Sequence, residues 1–131
     1  MSASDSTHLS LAVARHQFEL SGADANSLVA YGSSQAHSSI EKGARIAGFK
    51  HIRSVPVTQT FGIDADAFAQ IVRDDIDSGL IPAWVCSAVG TTNTTAMDPI
   101  RAIAAIAAEN GMWHHADAAY AGSAMICPEF R

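Results

Sequence analysis

The run Ile81-Pro82-Ala83-Trp84-Val85-Cys86-Ser87-Ala88-Val89 constrains this chain more than any other feature. It is almost wholly apolar and shows no alternation with polar residues, the pattern of a strand covered on both faces, as in parallel sheets. Such a strand needs helices on two sides, and the flanking sequence supplies them. Leu9, Ala12, Val13, His16 and Leu20 recur at helical spacing, with Ser4 or Asp5 placed to cap the first turn. Leu28-Val29-Ala30-Tyr31 reads as a buried strand, and Ser38 to Ala47 as a helix closed by Gly48. His51 to Val57 is β-branched, but Pro56 lacks a ladder donor and predicts an edge strand or a strand end.

Asp64 can cap a helix whose apolar face is Phe68, Ile71, Val72 and Ile76 and which Gly79 stops. Asp74, Asp75 and Asp77 read as its solvated side. After the long apolar run comes the turn-rich Gly90-Thr91-Thr92-Asn93-Thr94-Thr95. Asp98-Pro99 then reads as a cap with proline at the first helical position, followed by Ile100, Ile103 and Ile106 and an end at Asn110-Gly111. Met112 to Ala116 is a short strand. Alternating helices and strands give an α/β fold, a mainly parallel sheet with crossover helices.

Composition narrows the function. In 131 residues, 13 acidic and 8 basic side chains leave a formal charge of −5, which disfavours the basic surface that nucleic-acid backbones require. No apolar run reaches the roughly 18 residues of a membrane span, and the first residues show no basic-then-apolar leader. Cys86 and Cys127 lack the spacing of zinc or redox pairs. These features predict a soluble, cytoplasmic protein with neither nucleic acid nor membrane as partner.

In open α/β sheets ligands sit beyond the carboxyl ends of the strands. Three polar groups fall there: His37 after the first strand, Thr91-Thr92 after the long run, and Asp117 after the last strand. Ser2-Ala3-Ser4 opens the first helix and offers amide donors for a phosphate. A phosphate seat, a lone carboxylate and a flat imidazole match what pyridoxal phosphate requires: the carboxylate keeps the pyridine nitrogen protonated, and the ring becomes an electron sink. His114, His115 and Asp117 could be read as a metal cluster, but adjacent residues of a strand point to opposite faces, so no metal site is expected. Gly43 to Lys50 resembles a phosphate loop only superficially, because Phe49 interrupts the Gly-Lys-Ser/Thr pattern.

Three longer segments then carry a family resemblance. They are Gln35-Ala36-His37-Ser38-Ser39, Val89 through Pro99, and Trp113-His114-His115-Ala116-Asp117-Ala118-Ala119-Tyr120-Ala121-Gly122-Ser123-Ala124, with Cys127-Pro128-Glu129-Phe130-Arg131 after them. In this order they resemble the pyridoxal phosphate-dependent group II decarboxylases, most closely the aromatic L-amino acid decarboxylases, and the likeness covers essentially the whole chain. The resemblance implies that His37 stacks on the cofactor ring as the catalytic imidazole, that Asp117 pairs with the pyridine nitrogen and that Ala119 packs on the other face. It also implies that Thr92 contacts the cofactor and that Ala3 and Ser4 hold its phosphate. The implied activity is decarboxylation of an L-amino acid, expected to be aromatic, by a homodimer of the fold-type I architecture.

The sequence departs from the family pattern in places. Ala116 replaces a usual valine, Asn93 occupies a variable spot, and Met1 stands where a glycine is expected. The family attaches its cofactor to the lysine of a His-Lys motif, whereas Lys42 and Lys50 sit in no such motif. The expectation is therefore a single partial domain over 1–131, the central part of the cofactor-binding large domain. The N-terminal segment, the lysine region and the small C-terminal domain would lie outside it. The alternative is a truncated, non-catalytic remnant.

Overall fold

A computed structural model describes residues 2–130. Met1 and Arg131, one a departure from the family pattern and the other the last residue of the resemblance, lie outside the described residues. Four strands, β1 (Leu28–Ser33), β2 (His51–Val55), β3 (Ile81–Ala88) and β4 (Trp113–Asp117), form one sheet in the order β2-β1-β3-β4. Every pairing is parallel. The helices are α1 (Ala3–Leu20), α2 (Ser39–Ile46), α3 (Ala65–Asp77) and α4 (Ile100–Glu109). Short 3₁₀ turns occupy Ala25–Ser27, Gly122–Ile126 and Pro128–Phe130.

The long apolar run is the centre of this arrangement, as its pattern predicts. From β3, Ala83, Trp84 and Cys86 join Leu11 and Ala14 of α1 and Ile40 and Ala44 of α2 in one core layer. Val85 faces the other way, into a second layer with Phe68 and Val72 of α3 and Ile103 and Ala107 of α4. Pro82 lies inside this central strand, where a missing donor would break the ladder. The register slips there: Val29 pairs with Pro82 and Ala30 with Trp84, so Ala83 is the extra residue of a bulge. β2 is an edge strand, in keeping with Pro56 just after it.

Four sequence expectations fail, three of them because a buried polar group outcompetes a simple pattern. On α1 the predicted apolar stripe faces outward, with Leu9 at 56% and Leu20 at 75% exposure. The buried face is Thr7, Ser10, Leu11 and Ala14. α1 crosses α2 at Gly43, where an added Cβ would lie 3.0 Å from Leu11 Cδ1, so only a slim helix face fits. The cap of α1 is Ser2 rather than Ser4 or Asp5; its hydroxyl accepts from Asp5 N–H while Asp5 accepts from Ser2 N–H in a reciprocal box.

On α3, Ile76 is exposed and Asp75 is buried. The Asp75 carboxylate accepts from the Tyr31 hydroxyl at 3.0 Å and from Arg53 Nη2 at 2.6 Å, tying α3 to β1 and β2. Burial above all, then the charge of Asp75, pushes the Tyr31 phenol up. Asp98 likewise does not cap α4, which begins at Ile100 after Pro99. Its carboxylate turns inward and accepts from Ile63 N–H at 2.8 Å and Ala88 N–H at 2.6 Å. Both donors are buried, and leaving them unpaired would destabilise more than an exposed helix end would.

Removing Asp75 strands a buried hydroxyl and a guanidinium together. Asp75→Ala is expected to lower unfolding stability by about 2–3 kcal/mol and Tyr31→Phe by about 1 kcal/mol, measured by denaturant melts.

Candidate functional site

The topology fixes where the strand ends open. From β1 the chain crosses through α2 to β2, while from β3 it crosses through α4, on the opposite layer, to β4. Neighbouring strands β1 and β3 therefore send their connections apart, which leaves a crevice at their carboxyl ends. A cleft of about 400 Å³ lies there. Ala3, Ser4, His37, Thr92, Asp117 and Ala119 all line it. The six candidate residues, spread over more than a hundred positions of sequence, share one cavity.

Each arrives for a local reason. α1 places its first turn at the cleft, and the N–H groups of Ala3 and Ser4 have no partner among the described residues, because Ser2 caps Asp5 instead. Two free donors at the positive end of a helix form an anion seat. His37 follows β1, and its Nδ1 accepts from the Ser39 backbone N–H at 3.2 Å and lies 2.9 Å from Ser39 Oγ. Ser39, buried and also lining the cleft, orients the ring. Asp117 ends β4 opposite Ala88 in the register. One of its oxygens, Oδ1, accepts from Ala119 N–H at 3.0 Å, so Oδ2 remains for a ligand. Thr92 and Ala119 are exposed at the rim.

Gly90 carries φ of +86°, and an added Cβ would meet Tyr120 Cδ1 at 2.7 Å. Only glycine lets the β3 exit pass this close to the loop after β4. The pocket role of Ser39 and Tyr120 was not singled out from sequence, although both lie inside the motif segments. Lys42 and Lys50 are exposed and neither lines the cleft.

His114 and His115 do point to opposite faces of β4. His114 Nε2 lies 2.7 Å from Ser87 Oγ, whereas His115 stacks on Trp84 with ring centroids 5.8 Å apart. Burial above all pushes both imidazoles below their ordinary range, with the neighbouring His115 adding to the effect at His114. Cys86 is buried, and burial followed by the charge of Asp117 pushes its thiol up, which suits an inert core position. No described helix is long and apolar enough to cross a membrane.

The arrangement offers an anion seat, a carboxylate with one free oxygen and an oriented imidazole around one cavity. The conserved domain of the pyridoxal-dependent decarboxylases matches residues 2–131. This chain belongs to the pyridoxal-dependent decarboxylase family. Over 108 residues, 79% of the chain, it is 51% identical to a tyrosine/DOPA decarboxylase of Papaver somniferum. Over a stretch of the same length it is 44% identical to a phenylacetaldehyde synthase of Petunia hybrida. The stretches cover 20% and 21% of those relatives, so the chain spans about a fifth of their length. A crystal structure of Oryza sativa TDC with PLP and tryptamine superposes with a TM-score of 0.91 at 41% identity, covering 97% of this chain and 29% of that one. Family membership accounts for the fold as well: the sheet and its covering helices match part of a pyridoxal-dependent decarboxylase.

The histidine pair gives a pH test. An imidazole whose folded value is depressed favours folding when neutral, so its contribution is present above about pH 6.5 and drains away as pH falls through the lowered folded value. Denaturant midpoints are expected to drop between about pH 7.5 and about pH 5.5, and the double variant His114→Gln, His115→Gln is expected to flatten that profile.

Proposed function

We propose that the cleft binds pyridoxal 5′-phosphate and serves the decarboxylation of an L-amino acid, most readily an aromatic one, giving the amine and carbon dioxide. The observation that carries this reading is the meeting of Ala3, Ser4, His37, Thr92, Asp117 and Ala119 around one cavity at the sheet's switch point. The cavity suits the cofactor in shape and chemistry: free helix amides for a phosphate, a free carboxylate oxygen for a protonated ring nitrogen, and a flat imidazole beside them. The tyrosine/DOPA decarboxylase and tryptamine-bound relatives support the aromatic substrate class.

In this reading the cofactor supplies the electron sink for the pair released when the α-carboxylate leaves as carbon dioxide. Ala3 and Ser4 N–H hold the phosphate, aided by the positive end of α1. Asp117 Oδ2 accepts from the ring nitrogen and holds a proton there by charge. His37, fixed by Ser39, would hold the ring through its flat imidazole and exclude water there. Ala119, small and exposed, and Thr92 at the β3 exit would complete the hold on the cofactor. The working assembly is a cytoplasmic homodimer. No lysine of the described residues lines the cleft, so neither Lys42 nor Lys50 is placed to anchor the cofactor.

The test uses pyridoxamine 5′-phosphate, which has no aldehyde to react with Lys42 or Lys50. The chain is expected to bind it, and Asp117→Ala is expected to weaken binding about ten- to hundredfold, the worth of a lost charge-assisted hydrogen bond. Unchanged affinity in that variant would overturn the assignment. The 131-residue chain alone is expected to give no multiple turnovers of carbon dioxide from tyrosine, dopa or tryptophan; sustained release would show that an anchoring lysine is dispensable.

A further inference from the structure

Behind the cleft, two side chains that do not line it form a hydrogen-bonded line that ends on its backbone. Thr7 is fully buried on α1, and its Oγ1 lies 3.1 Å from the carbonyl oxygen of Ala3. A hydroxyl has one proton, and here it goes to that carbonyl. The second partner of Thr7 Oγ1 is His115 Nε2 at 3.4 Å, from a strand 108 residues away in sequence. The hydroxyl proton being spent on Ala3, Thr7 can only accept from His115, which makes Nε2 the protonated ring nitrogen.

The Ala3 carbonyl is one half of the peptide group whose other half is the Ser4 N–H, a free donor of the anion seat. A hydrogen bond received at the carbonyl polarises the N–H of the same group and fixes the plane in which it points. We propose that Thr7 and His115 are positioning residues that set the Ala3–Ser4 peptide as the phosphate seat, an inference that rests on the cofactor reading above. A threonine bonded only to the carbonyl four residues back is common in helices and serves the helix alone. Here a second partner on β4 is added, and that partner is itself held. His115 stacks on Trp84 at an interplanar angle of 21°, Trp84 Nε1 donates to Ser10 Oγ at 3.1 Å, and Ser10 Oγ donates to the Thr7 carbonyl at 2.8 Å. The line closes on Thr7, so the first turn of α1 is referenced to the strand that carries Asp117.

Two measurements test this. Nitrogen-15 NMR of the histidine rings in the unmodified, ligand-free chain at about pH 7.5 is expected to show His115 protonated at Nε2 only; a ring protonated at Nδ1 overturns the relay. Thr7→Val is nearly isosteric and removes the hydroxyl, while Thr7→Ser keeps it. In Thr7→Val the Ser4 amide proton is expected to move upfield and affinity for pyridoxamine 5′-phosphate to fall about tenfold, with pyridoxamine held to within about twofold. Thr7→Ser is expected to restore both. Equal weakening of the two compounds, or an unmoved Ser4 amide with unchanged affinity, would reduce Thr7 to a packing residue and overturn the proposal. Should the unmodified chain bind neither compound, the cofactor reading fails, and the ring tautomer and Ser4 amide shift still decide the relay.

Discussion

The rest of the structure depends on how α1 is seated. Trp84, the largest fully buried side chain, offers a single polar atom, and its Nε1 finds Ser10 on α1. An indole donor left unpaired in that layer would destabilise the fold by about 1–3 kcal/mol. This bond, with the Thr7 contact to β4, explains why a helix facing a hydrophobic sheet presents hydroxyls and alanine to it. It also sets the height of the helix along the strands, and so brings the Ala3 and Ser4 amides of its first turn to the cleft at the ends of β3 and β4. Moved by one turn, about 5.4 Å, the same helix would lose the Trp84–Ser10 and His115–Thr7 contacts and withdraw its first-turn amides from the cleft.

Much of this was legible in the sequence. The apolar run of β3, the glycines closing α2 and α3, the proline marking β2 as an edge, and the polar residues after each strand all point to the observed sheet. His37, Thr91-Thr92 and Asp117 could be found because they obey a topological rule that requires only strand order, whereas Ala119 followed only from the family resemblance, and Ala3 and Ser4 from their place at a helix N-terminus together with it. The helix faces were harder. On α1, periodicity selected Leu9, Val13 and Leu20, yet the helix turned these outward to satisfy Trp84 and to pass Gly43. Pattern counts weigh a leucine above a serine, and they have no way of knowing that a tryptophan 74 residues away needs an acceptor.

Asp75 and Asp98 make the same point from the opposite direction. Each sits in a sequence context typical of an exposed carboxylate, one in a run of acids on a helix and one before a proline. Each is instead buried and joins parts of the chain that are remote in sequence: Asp75 links α3 to β1 and β2, and Asp98 clasps Ile63 to the end of β3. Burial pushes the Asp98 carboxyl up even though both amide bonds act to lower it. Such groups are specified by unsatisfied donors elsewhere in the fold, information that is not local to the segment carrying the acid.

The reciprocal cap at the start of α1 has an electrostatic consequence. Ser2 binds Asp5 through both backbone and hydroxyl, which holds that carboxyl below its ordinary value and keeps a negative charge within the same first turn as the Ala3 and Ser4 amides. The whole chain carries −5 besides. At the proposed phosphate seat, an anion arriving from solvent would meet this negative charge within about a Debye length, about 8 Å at physiological ionic strength, before it reached the amide donors. At the seat proposed above, capture would depend on contact rather than on steering, and added salt would lower the barrier to entry.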